Sequence, residues 1–371
     1  MNLSYWEYKT WLSNIDFTIV GSGIVGLNCA LVLRQKYPEA KIMVLEKGIL
    51  PEGASTKNAG FACFGSISEI IADLNRHSGE EVVQLVSQRW KGIQLLRKNL
   101  GDSAIGYQRY GGHELFMESK EELYATCRES LERVNTLLKP VFKTEAFQLQ
   151  ENRFHFKNIK EQYITNILEA QIDTGKMMRA LLHLVAKNDI RVWNAIQVEE
   201  FQETGNGVEV RTNAFAYKTK KLLIATNGFA SQLIKEKVQP ARAQVLVTKP
   251  IPNLHVKGTF HLDEGYYYFR NIDNRILFGG GRNLDFKGEE TYEQSETPLI
   301  QNRLEEMLAE IILPNTPFEV ERRWSGTMGV GAVKKPILKQ LSNNVYCGVR
   351  LGGMGVAIGS QIGRDLAELS F

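Results

Sequence analysis

Asp16-Phe17-Thr18-Ile19-Val20-Gly21-Ser22-Gly23-Ile24-Val25-Gly26-Leu27 opens with a β-branched run, breaks at three glycines spaced G-x-G-x-x-G, and continues with helical periodicity to Lys36, before Pro38. The order is strand, tight turn, helix, stop. A second apolar run, Lys41-Ile42-Met43-Val44-Leu45, closes on Glu46, twenty positions after Gly26. A glycine triplet alone is a weak signal. Set between a strand and a helix, and followed by an acid at the end of the next strand, it marks a dinucleotide-binding βαβ unit. Gly21 permits the sharp turn, Gly23 lets a pyrophosphate approach the backbone, and Gly26 lets helix and strand pack closely. Ser22, Ile24 and Val25 complete the turn, whose helix N-terminus offers N–H groups and a positive dipole end to phosphate. Glu46, with Lys47 beside it, is placed to accept hydrogen bonds from ribose hydroxyls, and an acid there disfavours a 2′-phosphate, so NADP is a poor candidate.

The rest of the chain is of ordinary globular composition. Its 371 residues are 43% hydrophobic and 23% charged, with Lys+Arg 45 against Asp+Glu 42, which excludes a disordered or collagen-like chain. A net charge of +3 without a basic run gives no electrostatic reason to expect nucleic acid as a partner. Cys29, Cys63, Cys127 and Cys347 form no CxxC pair, so neither a disulfide framework nor a metal cage is expected, and a reducing cytoplasm fits. No apolar stretch approaches the roughly 20 residues of a membrane span. The opening segment, MNLSYWEYKTWLSN, carries Tyr5, Trp6, Tyr8 and Trp11 but only Lys9 as a base. A flap packed on the protein's own surface suits it better than a membrane-surface helix, which is usually richer in Lys and Arg.

After Glu46 the chain does not continue the βαβ pattern. It enters a small-residue loop, Pro51 to Phe61, and then a helical stretch expected from about Ser66 to Leu100. Ser55-Thr56-Lys57-Asn58-Ala59-Gly60 resembles the S-x-x-N-x-G loop of the FAD-dependent D-amino acid, glycine and sarcosine oxidoreductases. The resemblance implies that Ser55, Thr56, Asn58, Ala59 and Gly60 wrap the flavin end of FAD. It extends along the chain. Gln171 to Ala186 is similar to a family helix, Ile196-Gln197-Val198 to the strand that presents backbone to adenine, and Ala225-Thr226-Asn227-Gly228 to a strand end that approaches the cofactor closely. Gly348 to Ala357, including Arg350-Leu351-Gly352-Gly353-Met354-Gly355-Val356, resembles the last glycine-rich turn, whose helix dipole would face the flavin pyrimidine. Gly326 belongs to the strand before it. The implied fold is α/β, an FAD/NAD(P)-binding Rossmann-like domain interleaved with an α+β, antiparallel-sheet substrate domain. The division expected is 15–80, 150–235 and 320–371 for FAD, and 81–149 and 236–319 for substrate.

In the substrate part, Gly265-Tyr266-Tyr267-Tyr268-Phe269-Arg270 is expected to form a strand that turns Tyr266, Tyr268 and Arg270 to one side and Tyr267 and Phe269 to the other. The family places an aromatic, and sometimes an arginine, over the flavin here, making Tyr268 and Arg270 candidate substrate residues. A departure from the family lies in Glu321 to Gly329, where Met328 stands about where an arginine would clamp a substrate carboxylate. Arg350 is the expected replacement, as anion clamp or as a structural ion-pair member, with Arg270 and Arg323 as competitors. The strand has neither Cys nor His, so the resemblance implies noncovalent FAD. His113, His255 and His261 read as structural. The leading expectation is oxidation of a C–N bond of an amine or amino acid by hydride transfer to flavin N5. Oxidation of a 2-hydroxy acid, and a flavoprotein acting on a macromolecule, stay open beside it.

Overall fold

The computed structural model describes residues 3–371, so Met1 and Asn2 of the opening segment lie outside the described residues. The expected βαβ unit forms. The strand Ile15–Val20 runs parallel to Ile42–Leu45 on one side and to Ala216–Ile224 on the other, with the helix Ile24–Lys36 between the first two strands in sequence. The complete sheet path is Ile337–Gln340, Val345–Val349, Ala216–Ile224, Ile15–Val20, Ile42–Leu45, Arg191–Trp193. An antiparallel extension, Gly207–Thr212 and Val198–Thr204, is attached to Ala216–Ile224. The central strands are buried on both faces, with Ile19, Val44 and Leu223 on one and Val20, Leu45 and Ile224 on the other, which is why they read as unbroken apolar runs.

A second sheet runs Val320–Val330, Gln239–Thr248, Arg275–Gly280, Tyr267–Ile272, Thr259–Leu262, Gly112–Glu114, Gln162–Asn166, Phe147–Glu151. All its pairings are antiparallel except Thr259–Leu262 with Gly112–Glu114. Tyr267 and Phe269 enter its core beside Phe260 and Phe278, with Ile300 and Leu304 of the helix Pro298–Met307. Sheet membership crosses two expected segment boundaries. Gln162–Asn166 and Val320–Val330 fall within the segments expected for FAD, yet both hydrogen-bond within this second sheet. Val320–Val330 does so because it pairs with Gln239–Thr248 along nearly its whole length.

The expected single helical stretch from Ser66 to Leu100 is two helices, Ile67–Leu74 and Gly79–Leu100. Each starts with its own capping box, Ser66 with Glu69 and Ser78 with Glu81, and that S-x-x-E pattern marks a fresh helix start. Two further helices, Glu121–Glu129 and Leu131–Phe142, follow one another with only Ser130 between them. Three helices, Ile24–Lys36, Gly79–Leu100 and Gly355–Leu369, approach one another through glycine. A Cβ on Gly92 would lie 2.0 Å from Ala357 O, and one on Gly363 would lie 2.5 Å from Val25 O. The second contact sets the middle of the last helix against the start of the first.

The opening segment corrects one expectation. It is helical from Tyr5 to Leu12, and Leu12 is buried, but Tyr5, Trp6 and Tyr8 are 66%, 69% and 52% exposed. The flap is anchored at its end, and most of its aromatic rings face outward. The four cysteines are buried and unpaired. No helix of the described residues is long and apolar enough to cross a membrane, and no group of His, Cys, Asp and Glu among them could hold a metal ion.

Candidate active site

The segments singled out by sequence meet around one cavity of about 1020 Å³. At one end it is lined by Gly21, Gly23, Ile24 and Val25 of the first turn and by Glu46 and Lys47 after the second strand. Gly21 has φ 106° and donates to Leu45 O at 2.8 Å; its Cβ would meet Ala225 O at 2.8 Å, so only glycine suits both the turn and the gap. The helix Ile24–Lys36 begins with no cap from its own N-cap residue, Gly23. Glu46 is buried and oriented: its carboxylate accepts from Ser22 Oγ (2.6 Å), Ser22 N (3.2 Å) and Gly48 N (3.0 Å). Ser22 and Gly26 do not line the cavity. Ser22 holds Glu46, and Gly26 provides the close packing, since a Cβ there would sit 2.0 Å from Gly21 O.

The loop after Pro51 is built by its own polar side chains. Ser55 Oγ accepts from Ile24 N at 3.0 Å, joining this loop to the start of the first helix. Asn58 Nδ2 donates to Ser55 O (2.8 Å) and Ala54 O (3.1 Å), while its Oδ1 accepts from Gly60 N and from Thr174 Oγ1, both at 2.9 Å. Ser55, Asn58, Ala59 and Gly60 all line the cavity. Thr56 does not; its hydroxyl turns back to Pro51 O and Gly53 O. The indole N–H of Trp324 donates to Lys57 O at 2.9 Å and ties the loop to the second sheet.

Val198, Ala225, Thr226, Asn227 and Gly228 form another wall, and Gly326 and Arg350 to Val356 close the cavity from the far side. Asn227 Oδ1 accepts from Leu351 N at 3.0 Å, locking these two walls together. Two features fit a polar ligand here. The hydroxyls of Thr226 and Thr327 are buried in the wall with no partner in the protein, and native folds rarely leave such groups unpaired. A Cβ on Gly355 would meet nothing within 4 Å, so the protein's own packing does not require glycine there, and the space in front of the last helix is open. The residues present therefore fit a dinucleotide laid from the first turn to the last one.

Beyond the loop a second limb is lined by Cys63, Glu69, Arg89, His261 and Tyr268. Tyr268 sits edge-on to Phe61 at 5.6 Å, and His261 edge-on to the same ring at 5.3 Å. Burial pushes the Tyr268 phenol up to about 12 and holds His261 below the usual imidazole value, so the ring of His261 is neutral near pH 7. Burial, helped by Glu169 and Glu69, raises the Cys63 thiol, which keeps it protonated.

Several sequence expectations for this limb are corrected. Arg270 does not line the cavity; its Nη1 donates to Ile172 O (2.6 Å) and Gly60 O (3.2 Å) beneath the loop. Arg350 lines it, but its guanidinium is occupied by Lys335 O at 3.0 and 3.2 Å, with Lys237 O at 3.5 Å. Arg323 pairs with Gln301 and Glu305 away from the cavity. His261 is not a satisfied core histidine, because its Nε2 is buried without a partner. His255, by contrast, bonds Phe154 O, while His113 bonds Thr165 Oγ1 through Nδ1 and leaves its own buried Nε2 without a partner, away from the cavity. Glu69 and Arg89 escaped the sequence reading. Arg89 had a signal: it occupies the apolar stripe Val82, Val86, Arg89, Ile93, Leu96 of its helix, and a charge on a buried face calls for a reason.

The comparisons with known proteins agree with this geometry. A gamma-glutamylputrescine oxidoreductase of Escherichia coli is 23% identical over 372 residues, 95% of this chain and 83% of the relative. Among solved structures, a glycine oxidase from Geobacillus kaustophilus superposes with a TM-score of 0.76 at 18% identity, covering 96% of this chain and 95% of that one. An L-proline dehydrogenase from P. horikoshii gives 0.74 at 18% identity, covering 96% and 93%. Those two likenesses establish the fold. The sequence profile of the FAD dependent oxidoreductases matches residues 16–369, and on that match the chain belongs to this family of enzymes.

Proposed function

We propose that the enzyme binds FAD noncovalently and oxidises the C–N bond of an amine or amino acid. The observation that carries this reading is the continuity of the cavity, which runs unbroken from the glycine turn to His261 and Tyr268. When bound, FAD supplies a two-electron acceptor for the hydrogen on the carbon beside nitrogen. Gly21, Gly23 and the open helix start would receive the pyrophosphate, Glu46 the ribose hydroxyls, and the Ser55–Gly60 loop with the Gly352–Gly355 turn the ring end. The neutral His261, with its unpaired Nε2, is placed to take a proton from a substrate ammonium, because loss of hydride needs the free amine. Phe61 and Tyr268 restrict water around it. The oxidised substrate is an imine, which water hydrolyses to a carbonyl compound and ammonia or an amine. The printed names of the relatives support the choice of nitrogen substrates, since a gamma-glutamylputrescine oxidoreductase and a glycine oxidase are among them. The protonated Cys63 thiol and the absence of Cys and His from Val320–Val330 support noncovalent binding.

Two measurements test the reading. Acid precipitation should release the flavin into the supernatant, and flavin retained in the pellet would refute noncovalent binding. Mixed anaerobically with panels of amines, amino acids and 2-hydroxy acids, the holoenzyme should be bleached by a nitrogen substrate. Bleaching by hydroxy acids alone would replace the proposal with the alternative chemistry.

A further inference from the structure

Three arginines are buried among the described residues, and their partners differ. Arg242, 5% exposed, grips Glu289 with two N–H groups, Nε to Oε2 at 2.9 Å and Nη2 to Oε1 at 2.6 Å. Arg270 lies away from the cavity, with Nη1 held between two backbone carbonyls and its own Nε buried without an acceptor, so what sets Arg89 apart is that it faces the cavity. Arg89, 3% exposed, lines the second limb and has a single partner, Phe64 O, to which Nη1 donates at 2.5 Å. Its Nε is buried with no acceptor, and no carboxylate of the described residues comes within ion-pair distance. Glu169 is near enough to feel its charge, but Glu169 is turned to Phe64 N and Gly65 N, and burial holds its carboxyl up to about 8, mostly protonated at neutral pH.

A guanidinium removed from water and left without an anion is costly to a fold. Its planar donor set matches a carboxylate, which can take two parallel N–H bonds. The other arginines that could serve are engaged elsewhere: Arg350 by Lys335 O, Arg270 by Gly60 and Ile172, Arg323 by Gln301 and Glu305. Met328, which stands about where the family resemblance implies an arginine, offers the cavity no charge.

We propose that Arg89 completes its hydrogen bonding with a carboxylate of the substrate, so that the second limb takes an amine bearing a carboxylate rather than a simple amine. This deepens the oxidation of C–N bonds proposed above and rests on it for the amine half. The anion site itself stands on Arg89 alone.

The test uses purified holoenzyme and two probes of like shape, benzoate and benzamide, titrated against the flavin absorbance spectrum. The wild type should bind benzoate at least tenfold more tightly than benzamide. Arg89→Met should erase that preference, a loss of about ten- to hundred-fold in benzoate affinity for one charge-assisted interaction, with benzamide affinity and FAD content unchanged. Arg89→Lys, which keeps the charge but not the fork, should retain only part of the preference. If Arg89→Met fails to fold or to hold FAD, the lysine variant decides, and an unchanged preference in it overturns the proposal. Equal binding of the two probes by the wild type, or a preserved preference in Arg89→Met, also overturns it. Failure of the amine reading looks different: benzoate binding would depend on Arg89 while no amine or amino acid bleached the flavin.

Discussion

The two ends of the cavity are made in opposite ways. At the nucleotide end the walls are mostly backbone and glycine, and the buried acid Glu46 is held by three donors from residues close to it in the turn and the chain. In the second limb the walls are side chains from distant segments, Cys63, Glu69, Arg89, His261 and Tyr268, and two of them, Arg89 and His261, carry buried polar atoms without partners. Around Glu46 the nucleotide end is thus satisfied by its own donors and receives its ligand through shape and N–H groups, and only the hydroxyls of Thr226 and Thr327, in the wall of the cavity, are left for a ligand there. The second limb is electrostatically incomplete, and such incompleteness is where a folded chain shows what it recognises.

The sharpest way to break the comparison is Gly23→Val. A Cβ there meets Ser55 Oγ at 2.8 Å, displacing the hydroxyl that accepts from Ile24 N and filling space meant for phosphate. We expect purified protein without flavin absorbance; a yellow protein with normal FAD content would show that the turn is more tolerant than its geometry implies.

Glu114 tests the support of the second limb. It is buried under the helix Ile67–Leu74, accepts from Ser68 N at 3.0 Å and from Ser68 Oγ, and burial raises its carboxyl from 4.5 to about 7. The folded state therefore keeps a proton that the unfolded chain releases above pH 4.5. The stability this contributes is full below that pH and is lost as pH rises through 7. Between pH 5 and 8, urea unfolding should show the wild type losing about 2 to 3 kcal/mol more than Glu114→Gln. Parallel pH profiles for the two proteins would mean that Glu114 is ionised in the fold.

Glu46→Ala is a smaller perturbation, since backbone and glycine still shape that end. The loss of one charged hydrogen-bond acceptor should weaken FAD by about 2 kcal/mol, roughly thirty-fold, measured by titrating apoprotein with FAD. Unchanged affinity would remove Glu46 from the cofactor site. Arg350→Lys should have the least effect. Because its guanidinium is engaged with Lys335 O and Lys237 O, we expect substrate kinetics within about twofold of wild type. A large rise in KM at constant FAD content would return Arg350 to the role of anion clamp and weaken the case for Arg89.

The chain itself determined the nucleotide end. Strand, turn, helix and acid lie within Asp16–Glu46, and the loop Ser55–Gly60 forms largely from its own hydrogen bonds, with Asn58 bonding Ser55 and Gly60. Interactions over a few residues leave a pattern that spacing can express. The faces of Tyr267–Ile272 were legible for the same reason, because strand alternation is local. Tertiary structure decided the second limb. Whether a buried arginine meets a carboxylate, a carbonyl or an open cavity depends on which distant segment packs against it: Glu289 for Arg242, Gly60 and Ile172 for Arg270, and only Phe64 O for Arg89. It also decided that Val320–Val330 joins the second sheet while its end reaches the cavity, since strand pairing is settled by the partner strand, Gln239–Thr248, some eighty residues earlier in the chain.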